Sequence, residues 1–90
     1  MPQSFTKDPN ADLDYTIDWA AWLATDTIST STWSVAEGDV TLHDAAVVGA
    51  LTQVWATGGT AGTLARLTNR IVTTAGRTDD RTLTLILQER

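Results

Sequence analysis

Between Leu64 and Thr74 the chain changes character at every residue. Ala65, Leu67, Asn69, Ile71 and Thr73 share one parity, and Arg66, Thr68, Arg70, Val72 and Thr74 the other. A period of two belongs to a pleated strand with one face toward a core and one toward water, and a helix cannot present it. Leu83, Leu85 and Leu87, alternating with Thr82, Thr84 and Ile86, repeat the pattern. Two strands joined by the turn-rich connector Ala75 to Arg81 are therefore predicted. Threonine occurs seventeen times, and its β-branched side chain suits a pleated sheet better than a helix. The expected fold class is all-β.

The remaining segments fit that class. Tyr15, Ile17 and Trp19 alternate with Thr16 and Asp18, giving a first strand, and Ala20 to Ala24 has room for a single helical turn. Ile28 to Val35 reads as a strand in which Trp33 and Val35 point one way, while Ile28 has the opposite parity and requires a bulge. A turn at Glu37, Gly38 and Asp39 leads to a short strand Val40 to Leu42. Ala45 to Leu51 is read as a short edge strand because Val47, Val48 and Gly49 outweigh its alanines, and Thr52 to Thr57 is a further strand. Residues 1–13, with Pro2, Pro9 and no periodicity, read as an extended N-terminal arm, and residues 14–90 as one domain. About seven short strands with regular turn signals describe an immunoglobulin or fibronectin III-like β-sandwich. Ninety residues suffice for a single core.

Several classes of function are disfavoured. With no cysteine, the chain has no disulfide framework, thiolate metal site or sulfur nucleophile. Its apolar runs are too short for a membrane span, and Met1 to Asp8 lacks the features of a secretory signal, so synthesis is expected to end in the cytoplasm. A net charge of −5 argues against a nucleic-acid partner. Residues 1–45 hold eight acids against Lys7, net −7, and the second half holds five arginines against three acids, net +2. The two signs either pair across strands within one molecule or steer a head-to-tail contact between subunits.

Each chemistry-bearing cluster also has a plain reading. Asp8, Asn10, Asp12 and Asp14 resemble the first half of a calcium loop, but Leu13 stands where the turn needs Gly and Trp19 where the closing Glu belongs, so a solvated acidic approach to the first strand is expected. Gly58 to Gly62 lacks the Lys and the helix of a phosphate cradle, and reads as a turn using glycine at positive φ. His43, the one histidine, has no partner for a triad and is expected in an exposed loop. No catalytic, cofactor-binding or metal residues are assigned, and no enzyme activity is expected.

Interface candidates remain. Trp33 and Trp55 are expected in the core, facing each other between sheets. Trp19 and Trp22 do not both fit so small a core, and Trp22 is the candidate surface anchor, for a protein pocket or a sugar. Arg77, Asp79, Asp80 and Arg81 crowd charges into one hairpin tip that either locks itself or grips a neighbouring subunit. Phe5 and Asp8 belong to the arm, where the lone Phe has no local core and is expected to order on another chain.

Asp14-Tyr15-Thr16-Ile17-Asp18-Trp19, Asp26-Thr27-Ile28 with Ser31-Thr32-Trp33, Val54-Trp55 before Gly58-Gly59-Thr60-Ala61-Gly62, Asn69-Arg70-Ile71 and Gly76-Arg77-Thr78-Asp79 together resemble the fibre-tail adaptor proteins of tailed bacteriophages, from about Phe5 to the C-terminus. The resemblance implies an immunoglobulin-like virion protein without catalysis or cofactor, made in the host cytoplasm, joining other virion proteins of the tail, fibre or capsid, and assembled as a homo-oligomer. Capsid decoration and carbohydrate binding are the alternatives. Two positions depart from the pattern: Thr25 stands where members often have Gly, and Ala65 where they often have an aromatic.

Overall fold

A computed structural model describes residues 3–89. In chain order the elements are β1 (Gln3–Lys7), β2 (Asp12–Asp18), α1 (Ala20–Leu23), β3 (Ile28–Glu37), β4 (Val40–Val48), β5 (Leu51–Gly58), β6 (Leu64–Thr73) and β7 (Thr78–Leu87). They form two sheets, one ordered β1-β7-β6-β3 and the other β2-β5-β4. The predicted sandwich is therefore present, with seven strands among the described residues.

The clearest alternations lie at the centre of the four-stranded sheet. Ala65, Leu67, Asn69, Ile71 and Thr73 of β6 and Leu83, Leu85 and Leu87 of β7 are all buried. Opposite them the second sheet contributes Tyr15, Ile17, Val54 and Ala56. Fully burying a side chain such as Leu or Ile stabilises by about 1.5–3 kcal/mol relative to leaving it exposed, so these rows dominate the stability of a chain without disulfides.

The segment expected to be an extended N-terminal arm is in part a strand of the sheet. Gln3 to Lys7 is a strand that pairs parallel with β7, from Gln3 opposite Leu83 to Lys7 opposite Leu87, and β2 begins at Asp12. Met1 and Pro2 lie outside the described residues. Parallel pairing with the last strand leaves no local trace in so short a segment. Phe5 lies against its own chain, its ring 5.3 Å from that of Tyr15, while staying 37% exposed. Lys7 is buried, and its ammonium donates to the carbonyls of Gly58 at 2.7 Å and Asp8 at 3.0 Å. Burial pushes the Lys7 pKa down, opposed in part by Asp8 and Asp12.

Other boundaries shift. The expected bulge in β3 lies between Ile28 and Thr30. The two short strands read over 40–51 are one edge strand, β4, broken between His43 and Ala46 where Asp44 adopts φ 52°. Leu51 instead starts β5. The connector after β6 is shorter than predicted, because β7 already begins at Thr78. Ala65 has a local reason to be small. A Cβ on Gly38 in the β3–β4 turn would lie 2.8 Å from Ala65 Cα and Cβ, so turn and strand touch backbone to backbone.

The tryptophans are redistributed. Trp19 is fully buried and is the core indole, whereas Trp33 only partly enters the core from the edge strand β3. Trp55 lies on the outer face of the second sheet, since Val54 and Ala56 take the inward parity of β5. The expected Trp33–Trp55 contact between sheets is thus replaced by Trp19, which the end of β2 inserts between the two sheets.

Candidate interaction surface

Trp19 anchors one end of the sandwich through a buried polar cluster. Its indole N–H lies 3.2 Å from Thr52 Oγ1 and 3.1 Å from Asn69 Oδ1, and the Thr52 hydroxyl donates to the same Asn69 oxygen at 2.6 Å. The Asn69 amide donates to Ser31 Oγ at 2.8 Å and the Thr32 carbonyl at 3.2 Å. One side chain thus ties β6 to β3, β5 and the end of β2. A buried amide is tolerated in a core when its donors and acceptors are met.

Above Trp19 lies a stacked group. The rings of Trp19 and Trp22 meet edge to face, with centroids 5.5 Å apart. The Arg81 guanidinium lies 4.2 Å from the Trp19 ring centroid and that of Arg77 4.3 Å from the Trp22 centroid. Arg81 also donates to the Asp18 carbonyl at 3.0 Å. Arg77 donates to Asp26 Oδ2 and to the Leu23 carbonyl, each at 3.1 Å. The other Asp26 oxygen accepts the amides of Thr27 at 2.8 Å and Ala75 at 3.2 Å. The Asp26 pKa is lowered to about 2, first by hydrogen bonding from the Thr73 hydroxyl, then by the Thr27 and Ala75 amides and Arg77, which outweigh its partial desolvation. Leu23, Ala24, Thr25, Asp26, Ala75 and Arg77 line an open depression beside it.

The sequence-predicted interface residues therefore divide. Trp22, Arg77 and Arg81 converge on this end, and the hairpin tip locks onto its own chain. Trp22 is not a bare anchor, because it is partly buried and Arg77 covers its ring. Asp80 is elsewhere, on the outer face of the four-stranded sheet, where it takes both forks of Arg70 at 2.8 and 3.1 Å. That pairing lowers the Asp80 pKa and raises that of Arg70. Asp79 accepts the Asp80 amide. Phe5 and Asp8 are toward the opposite end of β7, and Asp8 caps its own turn by accepting the Asn10 amide at 2.9 Å.

The charge asymmetry along the chain is met in part by pairing within the molecule. Arg66 pairs with Glu37, Arg70 with Asp80 and Arg77 with Asp26. Asp12, Asp14, Asp18 and Asp44 stay on the three-stranded sheet, whose strands carry no Lys or Arg. The oxygens that suggested a calcium loop are held apart: Asp12 binds His43, Asp14 accepts from Gln53, and Asp8 caps its turn.

His43 is not in a loop. It lies in β4, partly buried, 2.8 Å from Asp12 and 2.7 Å from Asp44, and its ring stacks near Trp55 with centroids 6.2 Å apart. Carboxylates only accept, so serving both requires a proton on each ring nitrogen. The hydrogen bonds to Asp12 and then Asp44 raise the His43 pKa accordingly.

Sequence reasoning missed the roles of Asp26, Lys7 and His43. Asp26 and Arg77 are 51 residues apart, and only the pairing of β3 with β6 in one sheet joins them. Asn69 did leave a signal, since a lone amide stands among the inward positions of β6.

Against known proteins, the chain matches the family described as podophage GP4 fiber-tail adaptor protein gp77 over residues 7–86. No curated protein sequence matches it. Among solved structures it is similar to the solution structure of the PKD domain from KIAA 1837 protein, with a TM-score of 0.64 and 18% identity, covering 99% of this chain and 81% of that one. At that identity the likeness concerns the fold alone.

Proposed function

The chain belongs to the podophage fiber-tail adaptor family, and from that premise we propose that it joins fibre and tail proteins in the assembled particle, in several copies and by contact alone. It is made in the host cytoplasm and acts without catalysis. The observation that carries this reading is the meeting of two segments on which the family resemblance rests. Asp26-Thr27-Ile28 and Gly76-Arg77-Thr78-Asp79 are brought together by the Asp26–Arg77 ion pair, at the end that Trp22 and the depression beside Asp26 complete. A cross-braced, partly exposed end with an aromatic and an arginine has the composition of a protein-binding hot spot. Capsid decoration draws on no specific contact. A glycan platform needs a bare aromatic, and Trp22 carries Arg77 on its face.

The test is complementation of a phage lacking this gene. Arg77→Ala should give particles depleted of fibres, whereas Thr84→Ala, on the outer face of β7 at a distance from this end, should restore them. Folding of each purified variant is checked by circular dichroism. Normal fibre content with a folded Arg77→Ala protein would refute the assignment.

A further inference from the structure

Four strands end the two sheets: β1 and β3 in one, β2 and β4 in the other. Exposed edges present unpaired backbone groups and are normally protected by charge, proline, brevity or a bulge. Three of the four are protected. β1 has five residues and is followed by Pro9, β2 carries Asp12, Asp14 and Asp18, and β4 is broken at Asp44. β3 is different. Its ten residues carry no charge before Glu37, and its register with β6 runs unbroken from Thr30 to Val35. It is also the least covered long strand, since Trp33 and Ile28 are only partly buried and Val35 remains 36% exposed although it shares the inward parity of Trp33. The Trp33 indole N–H is buried with no acceptor among the described residues.

We propose that β3 is the edge through which two copies of this chain pair, antiparallel about a two-fold axis, joining their four-stranded sheets into one. With Thr32 of one copy opposite Thr32 of the other, Thr30 faces Ser34 and Ser31 faces Trp33, so each residue meets one from the same face of the sheet. The ladder Ser34, Thr68, Thr82, whose two threonine hydroxyls lie 3.1 Å apart, continues across the axis through Thr30. No like charges are opposed, because Glu37 falls opposite Thr27. Self-pairing of β2, by contrast, would crowd the carboxylates of Asp12, Asp14 and Asp18 into one ladder. The neutrality and self-compatibility of this strand select a second copy as its occupant. The pairing extends the several-copy part of the proposed function, but is measured on the isolated chain, so its failure leaves the adaptor role to the particle experiment.

Sedimentation equilibrium of the full chain should show a concentration-dependent dimer. Thr32→Lys, which sets lysine against lysine at the axis, should raise its Kd by about fivefold. Thr32 is exposed, so the substitution leaves the fold intact, which the thermal transition checks. The chain has no cysteine, so oxidised Thr32→Cys can form only an intermolecular disulfide. It should cross-link readily, while Thr84→Cys, on the outer face of β7, should not. A monomer at every concentration, a dimer indifferent to Thr32→Lys, or equal cross-linking through Thr84→Cys would overturn the proposal. Binding of β3 to a purified fibre or tail protein by an otherwise monomeric chain would overturn the choice of a second copy.

Discussion

Replacing Asn69 with leucine tests whether the buried polar cluster holds the two sheets together. Leucine is close in size, so no large cavity is made and the change reads out hydrogen bonding. In the native chain Asn69 accepts from Trp19 and Thr52 and donates to Ser31 and the Thr32 carbonyl. After substitution the Trp19 indole keeps Thr52 Oγ1 at 3.2 Å as its acceptor. The fully buried Thr52 hydroxyl loses the acceptor for its own proton, which costs about 1–3 kcal/mol. The two bonds to β3 are lost at a partly exposed edge, where water takes part of their place, for about 0.5–1.5 kcal/mol each at most. With water replacing about half of those two bonds, the sum expected is about 2–4 kcal/mol. For a domain of this size each kcal/mol moves Tm by about 4–8 °C, so differential scanning calorimetry should show a fall of roughly 10–25 °C. Ser31→Ala, which removes one bond at the edge, should cost a small fraction of that. A fall below about 3 °C for Asn69→Leu would show that the cluster does not couple the sheets.

Four further outcomes follow from the same contacts. Asp26 has its pKa lowered to about 2 from 3.8, so the stability it contributes is full above about pH 4 and lost as pH falls through 2, and in Asp26→Asn the Tm–pH curve should flatten over that window. His43 is raised above 6.5, so its contribution is full below that value and lost as pH rises through the higher folded pKa. An NMR titration should place its midpoint above 6.5, and in Asp12→Asn the midpoint should move down. Removing residues 1–8 strips β1 from β7 and uncovers the row of Leu85 and Leu87, so the truncated chain should lose cooperative unfolding rather than remain a folded domain. Gly59→Ala places a Cβ 2.7 Å from Leu87 Cδ1 at φ 106°, while Gly62→Ala meets nothing within 4 Å at φ 85°. Urea unfolding should therefore show a loss for the first that exceeds that of the second by about 1–3 kcal/mol.

The class of fold was legible because its signal is local. A residue's parity in β6 or β7 depends only on its neighbours in sequence, and both are central strands with one face fully buried, so Leu67, Asn69, Ile71, Leu83 and Leu85 lie where alternation put them. Edge strands are read less well. β1 is too short to show a period and owes its place to a parallel ladder with residues some eighty positions away, from Gln3 to Leu83. β4 has its period broken at Asp44, which made one strand look like two. Parity also gives a face without a depth. It placed Trp19 and Trp33 on inward positions but could not tell that the first would be sealed beneath Arg81 while the second lay at an open edge.

The candidate site was legible in its parts and not in its assembly. Trp22, Arg77 and Arg81 were singled out as aromatic and forked side chains suited to contact. That Arg77 caps Trp22 and clasps Asp26, so that the tip braces its own domain, was decided only when β6 and β7 closed over α1. The chain by itself determined strand periodicity, the inward rows of β6 and β7 and the absence of thiol chemistry, because each is a property of composition or of near neighbours. Tertiary structure alone decided which tryptophan is central, which charges are spent on one another and which edge is left open. Those outcomes depend on residues brought together from distant parts of the sequence, by strand pairing within a sheet for the charges and by packing between the sheets for Trp19.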